Sequence, residues 1–167
     1  QSHEVLEHPF CLSATEVTQG EWLAVTGARP SYFGECGDDC PVEQVDWFSV
    51  VAFANALSRA EGLEECYTLT GCEDPEEGWY DGDHAGCSSA EAVGPSCAGY
   101  RLPTEVEWEY AARGPEVDPH RYDAAYAGNR TTDSCDDTTL LAIAWFCGNA
   151  GGTTHPVGQK LPNPCVG

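Results

Sequence analysis

The chain has 167 residues, enough for one compact domain and few for two. A formal net charge of −21, with Lys160 the only lysine, excludes a nucleic-acid binder, which needs a basic footprint to neutralise phosphates, and disfavours anionic membrane surfaces. No stretch approaches the roughly 18 apolar residues of a membrane-spanning helix, and the ten cysteines point instead to disulfides made in an oxidising compartment.

In chain order, "PFCLSATEVT" alternates enough to predict an N-terminal strand leading into a helix. That helix is "TQGEWLAVTG", with Thr18 as N-cap, Glu21 as its capping-box partner and Gly27 as the stop. A second helix lies in "DWFSVVAFANALSRAEG". Asp46 caps it, Trp47, Val50, Val51, Ala54 and Leu57 draw an apolar stripe, and Gly62 ends it. Residues 64–100 hold four cysteines, many glycines and acids and few apolar side chains, which predicts a disulfide-stapled loop insertion at about 64–99 within a single domain spanning 1–167.

A third helix starts in "GYRLPTEVEWEYAARG". Thr104 is the N-cap, Glu107 completes T-x-x-E and Gly114 closes the helix. Trp108, Ala111 and Ala112 share one face, and Glu109 and Arg113 stand four apart on another. "LLAIAWF" is short and apolar, compatible with a buried strand or a helical turn.

The sequence contains no methionine, so Gln1 is read as the residue left after removal of a leader, and the protein as secreted. With no C-x-x-C, the cysteines are read as five disulfides with no free thiol. Cys36 and Cys40 are close enough to pair, and Cys66, Cys72, Cys87 and Cys97 pair among themselves. Cys11, Cys135, Cys147 and Cys165 allow three connectivities, of which Cys135–Cys147 with Cys11–Cys165 ranks first.

Other chemistry is sparse. The acidic loops Glu73–His84 and Asp133–Asp137 either bind calcium or are solvated acids; they lack the spacing of an EF-hand, and solvated loop acids are the commoner case. His3, His8, His84, His120 and His155 form no H-x-x-x-H pair, and there is neither a G-x-S-x-G nor a local Ser/His/Asp grouping. "NRT" at Asn129 is a glycosylation sequon. Trp79 and Tyr80, set among acids in the insertion, are the candidate binding residues; they either anchor a partner or fold back over the core.

"TEVTQGEW", "PVEQVDWFSVVAFANALS", "GYRLPTEVEWEYAARG", "AWFCGNAGG" and "THPVGQKLPN", in this order, resemble the formylglycine-generating-enzyme or sulfatase-modifying-factor family from about Phe10 to Asn163. The resemblance implies an α+β, C-type-lectin-like fold that is disulfide-rich and poor in regular secondary structure. It makes the "RLPTEVEWEYAARG" block architectural, with Arg101 and the helix glutamates fixing the turn and Trp108 and Tyr110 packed. It also implies calcium near "FCGNAGGTTHPVG", with Asn149 as a side-chain ligand and Gly151 offering a carbonyl, and gives His155 a structural role.

Family members continue past "PVGxKxPN" into a region whose cysteine pair binds copper and oxidises a substrate cysteine to formylglycine. That region has no counterpart here, so copper is expected only with a further C-terminal region. The resemblance therefore implies a non-catalytic secreted domain acting in extracellular binding or assembly. The alternative is the N-terminal part of a longer or two-chain formylglycine-generating oxidoreductase acting on sulfatase cysteines. Without the family's last segment, a sheet edge and apolar surface would stand open, and another protein chain or further copies of this one would cover them.

Overall fold

The computed structural model describes residues 9–72, 87–113, 135, 138 and 140–161. The chain divides into two compact units, Glu16–Leu102 and Gln1–Thr15 with Pro103–Gly167. The first holds helices α1 (Gln19–Thr26) and α2 (Trp47–Ala60) and strands β1 (Tyr67–Thr70) and β2 (Ser89–Ala92); the second holds α3 (Glu105–Arg113) and a 3-10 turn, Leu140–Ala142.

Helix α1 begins and ends as its sequence dictates. Glu21 N–H donates to Thr18 Oγ1 at 3.1 Å, Thr18 N–H donates to Glu21 Oε2 at 2.8 Å, and Gly27 closes the helix at φ 75°. The next N–H groups, which no helical carbonyl can reach, are taken by the loop that follows the helix: Gln19 N–H donates to Cys40 O at 2.8 Å and Gly20 N–H to Asp38 O at 3.0 Å. The Cys36–Cys40 disulfide closes that loop. Pro9–Val17 forms no strand, contrary to the sequence reading. Only an isolated bridge joins Thr18 to Pro41, and Pro41 has no N–H with which to extend a ladder.

Helix α2 is capped by Asp46, whose Oδ1 accepts from Ser49 N–H at 2.7 Å. Its buried stripe is Val51, Ala54, Asn55 and Ser58, at spacings of three, four and seven. The predicted stripe has to be corrected at its start, because Trp47 in the first turn is 50% exposed and lies edge-on to Phe48. The buried face carries two polar residues because both bind backbone. Asn55 Nδ2 donates to Tyr67 O at 2.7 Å, and its Oδ1 accepts from Cys66 and Tyr67 N–H, each at 3.1 Å. Ser58 Oγ donates to Ala54 O and accepts from Tyr100 N–H, both at 2.8 Å. Gly99 is required beside it: a Cβ there would lie 1.9 Å from Glu64 O.

The insertion is more ordered at its base than a loop. β1 and β2 form an antiparallel ribbon in the register Tyr67↔Ala92 to Thr70↔Ser89. Cys66–Cys97 lies at one end and Cys72–Cys87 at the other. Val51 and Ala54 of α2 pack on Cys66 and Tyr67, with Leu69, Ala90, Cys97 and Leu102 around them. Tyr67 hydroxyl accepts from Leu102 N–H at 2.8 Å, and Arg101 donates to the Pro95 and Leu102 carbonyls, so the approach to "RLPTE" is tied to the ribbon. Tyr100 hydroxyl donates to Glu61 Oε2 at 2.8 Å, and this bond holds the phenol pKa above its ordinary value.

In the second unit α3 shows the predicted capping box. Thr104 N–H donates to Glu107 Oε2 at 2.7 Å and Glu107 N–H to Thr104 Oγ1 at 3.2 Å. The predicted helix face is corrected. Glu107 and Ala111, one turn apart, are buried, whereas Trp108 is 62% exposed. The capping box holds the Glu107 carboxylate against the helix start, which turns the position about 100° further round, Trp108, away from the buried side. Tyr110 is packed as expected, edge-to-face with Phe10 at 6.3 Å. Gly114 and the Arg113 side chain lie outside the described residues.

Candidate functional site

The richest grouping of side chains lies in residues 140–161, where local contacts shape an irregular segment. Ile143 and Ala144 N–H both donate to Leu140 O, so "LLAIAWF" begins as a helical turn with Leu140 buried. Asn149 then clamps the chain: its Oδ1 accepts from Phe146 N–H at 2.8 Å and its Nδ2 donates to Ala144 O at 3.0 Å. Cys135–Cys147 staples the turn, and Gly148 sits so close to Cys135 O that a Cβ would be 2.1 Å from it. Gly151 and Gly152 carry the chain onward at φ 63° and 77°, a left-handed course that favours glycine.

This framework fixes Trp145. The His155 ring stacks on it with centroids 3.8 Å apart and planes 20° from parallel, and His155 is held in turn by its Nε2–H, which donates to Ala150 O at 2.9 Å. Lys160 Nζ stands 3.6 Å from the Trp145 ring centroid and donates to Leu141 O at 2.7 Å. A cation on a tryptophan face is attracted by the ring's negative π cloud. Leu161 N–H donates to Ala142 O at 2.9 Å, zipping 160–161 against 141–142. In the same segment Leu141 (45%), Ile143, Trp145 (39%) and Leu161 (65%) remain open to solvent.

The sequence candidates fall out unevenly. His155 has the structural role expected, as a stacking partner of Trp145. Asn149 spends both ends of its amide on its own turn, and the described residues contain no cluster of three or more His, Cys, Asp or Glu side chains. A calcium ion needs six to eight oxygen donors, usually with carboxylates among them, and the described surroundings of Asn149 and Gly151 do not fit that requirement. Copper of the family type needs a pair of thiolates. Eight of the described cysteines are bound in Cys36–Cys40, Cys66–Cys97, Cys72–Cys87 and Cys135–Cys147, and Cys11 is a free, exposed thiol. Copper is expected only with a further C-terminal region, and these cysteines do not supply the pair it needs. The free Cys11 replaces the expected Cys11–Cys165 disulfide; Cys165 itself lies outside the described residues. So do Trp79 and Tyr80, both acidic loops save Cys135, Asn129 and the other four histidines. The Trp145–Lys160 pairing was not anticipated. No periodicity links residues fifteen apart in a loop, and the only sequence signal was that the single lysine falls in "VGQK".

Two units with short helices, a small ribbon and four disulfides define a disulfide-rich α+β protein of the C-type-lectin-like class. Within that class the chain belongs to the sulfatase-modifying factor enzyme 1-like domain family, whose profile matches residues 1–166. It is 31% identical, over 92% of its length, to a chaperone protein, LppX, of Paenibacillus barcinonensis. Among solved structures it is similar to Treponema denticola variable protein 1, with 36% identity over 89% of the chain and a TM-score of 0.68. It is also similar to CarF, with 27% identity over 90% of the chain and a TM-score of 0.57. The chain spans 56% of LppX, 54% of the Treponema protein and 60% of CarF, little more than half of each. No helix among the described residues is long and apolar enough to cross a membrane.

Proposed function

We propose that this chain is a secreted binding or assembly module of the family, working by contact with another polypeptide and not by thiol oxidation. The observation that carries the reading is the exposed surface around Trp145, held in shape by the Asn149 clamp, the Cys135–Cys147 staple and the His155 stack. Leu141, Ile143, Trp145 and Leu161, all exposed within residues 141–161, supply apolar area that such a partner would cover. The disulfides support an oxidising, extracellular or cell-surface setting. One relative is named a chaperone protein, and receiving another polypeptide is a task of the same kind.

The length of the relatives favours a second reading, in which this chain is one part of a longer or two-chain formylglycine-generating oxidoreductase. One assay separates the two. Protein purified from the cells that make it, together with any polypeptide that is linked to it or copurifies, is mixed with a cysteine-bearing sulfatase peptide, copper and oxygen, and the peptide is weighed by mass spectrometry. The cysteine is expected to remain unconverted; its conversion to formylglycine would establish the enzyme and overturn the proposal.

A further inference from the structure

Lys160 is the only lysine in a chain of 28 acidic residues, yet among the described residues no carboxylate pairs with it. Its position is nonetheless well defined. The His155 ring, 3.8 Å from Trp145, fills one face of the indole, so the ammonium at 3.6 Å occupies the other. One of its three donors goes to Leu141 O, which leaves two for another acceptor. Fixing the flexible lysine stem in advance removes much of the entropic cost of using it in an interface. The Leu141 carbonyl holds the ammonium, Leu161 follows Lys160 in the chain and is bonded to Ala142, and both leucines are exposed.

We infer that this face binds a segment of a different polypeptide in which aliphatic side chains flank a carboxylate. The carboxylate accepts from the two open donors of Lys160, and the aliphatic groups cover Leu141, Leu161 and the exposed edge of Trp145. The inference rests on the binding-module reading and adds the chemistry of the partner. Charge complementarity selects the occupant. Lys160 calls for a local negative group, whereas a second copy would bring its own −21 against the first, a repulsion that salt screens only beyond about 8 Å.

The test uses three short end-blocked peptides that alternate leucine with glutamate, glutamine or lysine, titrated calorimetrically into the intact protein. The leucine–glutamate peptide is expected to bind about tenfold more tightly than the glutamine one, with the margin shrinking as salt is added. Lys160→Met keeps an unbranched stem over Trp145 and should erase that margin, and Lys160→Arg should retain it. Equal binding of the glutamate and glutamine peptides, or a margin that survives in Lys160→Met, would overturn the carboxylate while leaving the apolar surface in place. Binding of none of the peptides would overturn the docking surface itself. Light scattering that found a dimer dissolved by Lys160→Met would make a second copy the occupant and overturn the choice of a different polypeptide.

Discussion

Asn55→Leu is expected to lower the unfolding free energy by about 3–5 kcal/mol. Leucine keeps asparagine's branching and heavy-atom count and is somewhat larger, so the loss comes from polar groups left without partners and not from a cavity. Asn55 is buried on α2 and serves Tyr67 O with its Nδ2, and the Cys66 and Tyr67 N–H groups with its Oδ1. All three belong to the first residues of the ribbon, where the Cys66–Cys97 disulfide starts and the core gathers. A buried donor or acceptor stripped of its partner costs about 1–3 kcal/mol, and water entering beside the ribbon would soften the sum. Urea unfolding monitored by circular dichroism measures the change. A loss below about 1 kcal/mol would mean that α2 is held to the ribbon by apolar contact alone.

Trp22→Ala should cost about 3–5 kcal/mol as well, for a different reason. Trp22 is buried on α1 and stacks on Phe53 of α2 with ring centroids 4.7 Å apart and planes 4° from parallel. Truncation removes the stack and leaves a cavity between the two helices, which neighbouring side chains fill only in part. The matching change at half-exposed Trp47 should cost less, because only part of its area leaves water on folding. Thermal melts of the two variants give the comparison. Equal losses would show that the α1–α2 contact is not centred on Trp22.

What could be read from the sequence was local. Thr18, Asp46 and Thr104 cap their helices as their spacing predicts, because a cap is a contact between residues three apart and depends on nothing beyond them. The fold class and family were legible because the characteristic blocks stand in order along nearly the whole chain. Helix faces were less legible. Asn55 and Ser58 are buried because backbone groups distant in sequence await them, and hydrophobicity alone passes over such residues. Trp108 was assigned inward on its size and on family precedent, but the capping box already directs Glu107 to the buried side. The ribbon was missed because "YTLT" and "SAEA" are too short and too polar on one side to announce a pair, and disulfides supply what propensity lacks. The Trp145 stack lay beyond sequence reasoning, since it depends on a loop path set by Asn149, two left-handed glycines and one disulfide.

The central claim, that the surface around Trp145 and Lys160 holds another polypeptide, is tested most directly on protein purified under native conditions from the cells that make it. Native mass spectrometry, followed by hydrogen exchange of the same material, reads both the company the chain keeps and the face it uses. The expected result is a complex of this polypeptide with a second one, with protection gained over residues 140–161 relative to the dissociated protein. A lone polypeptide with no bound partner, or a complex whose protection falls elsewhere and leaves 140–161 unchanged, would contradict it.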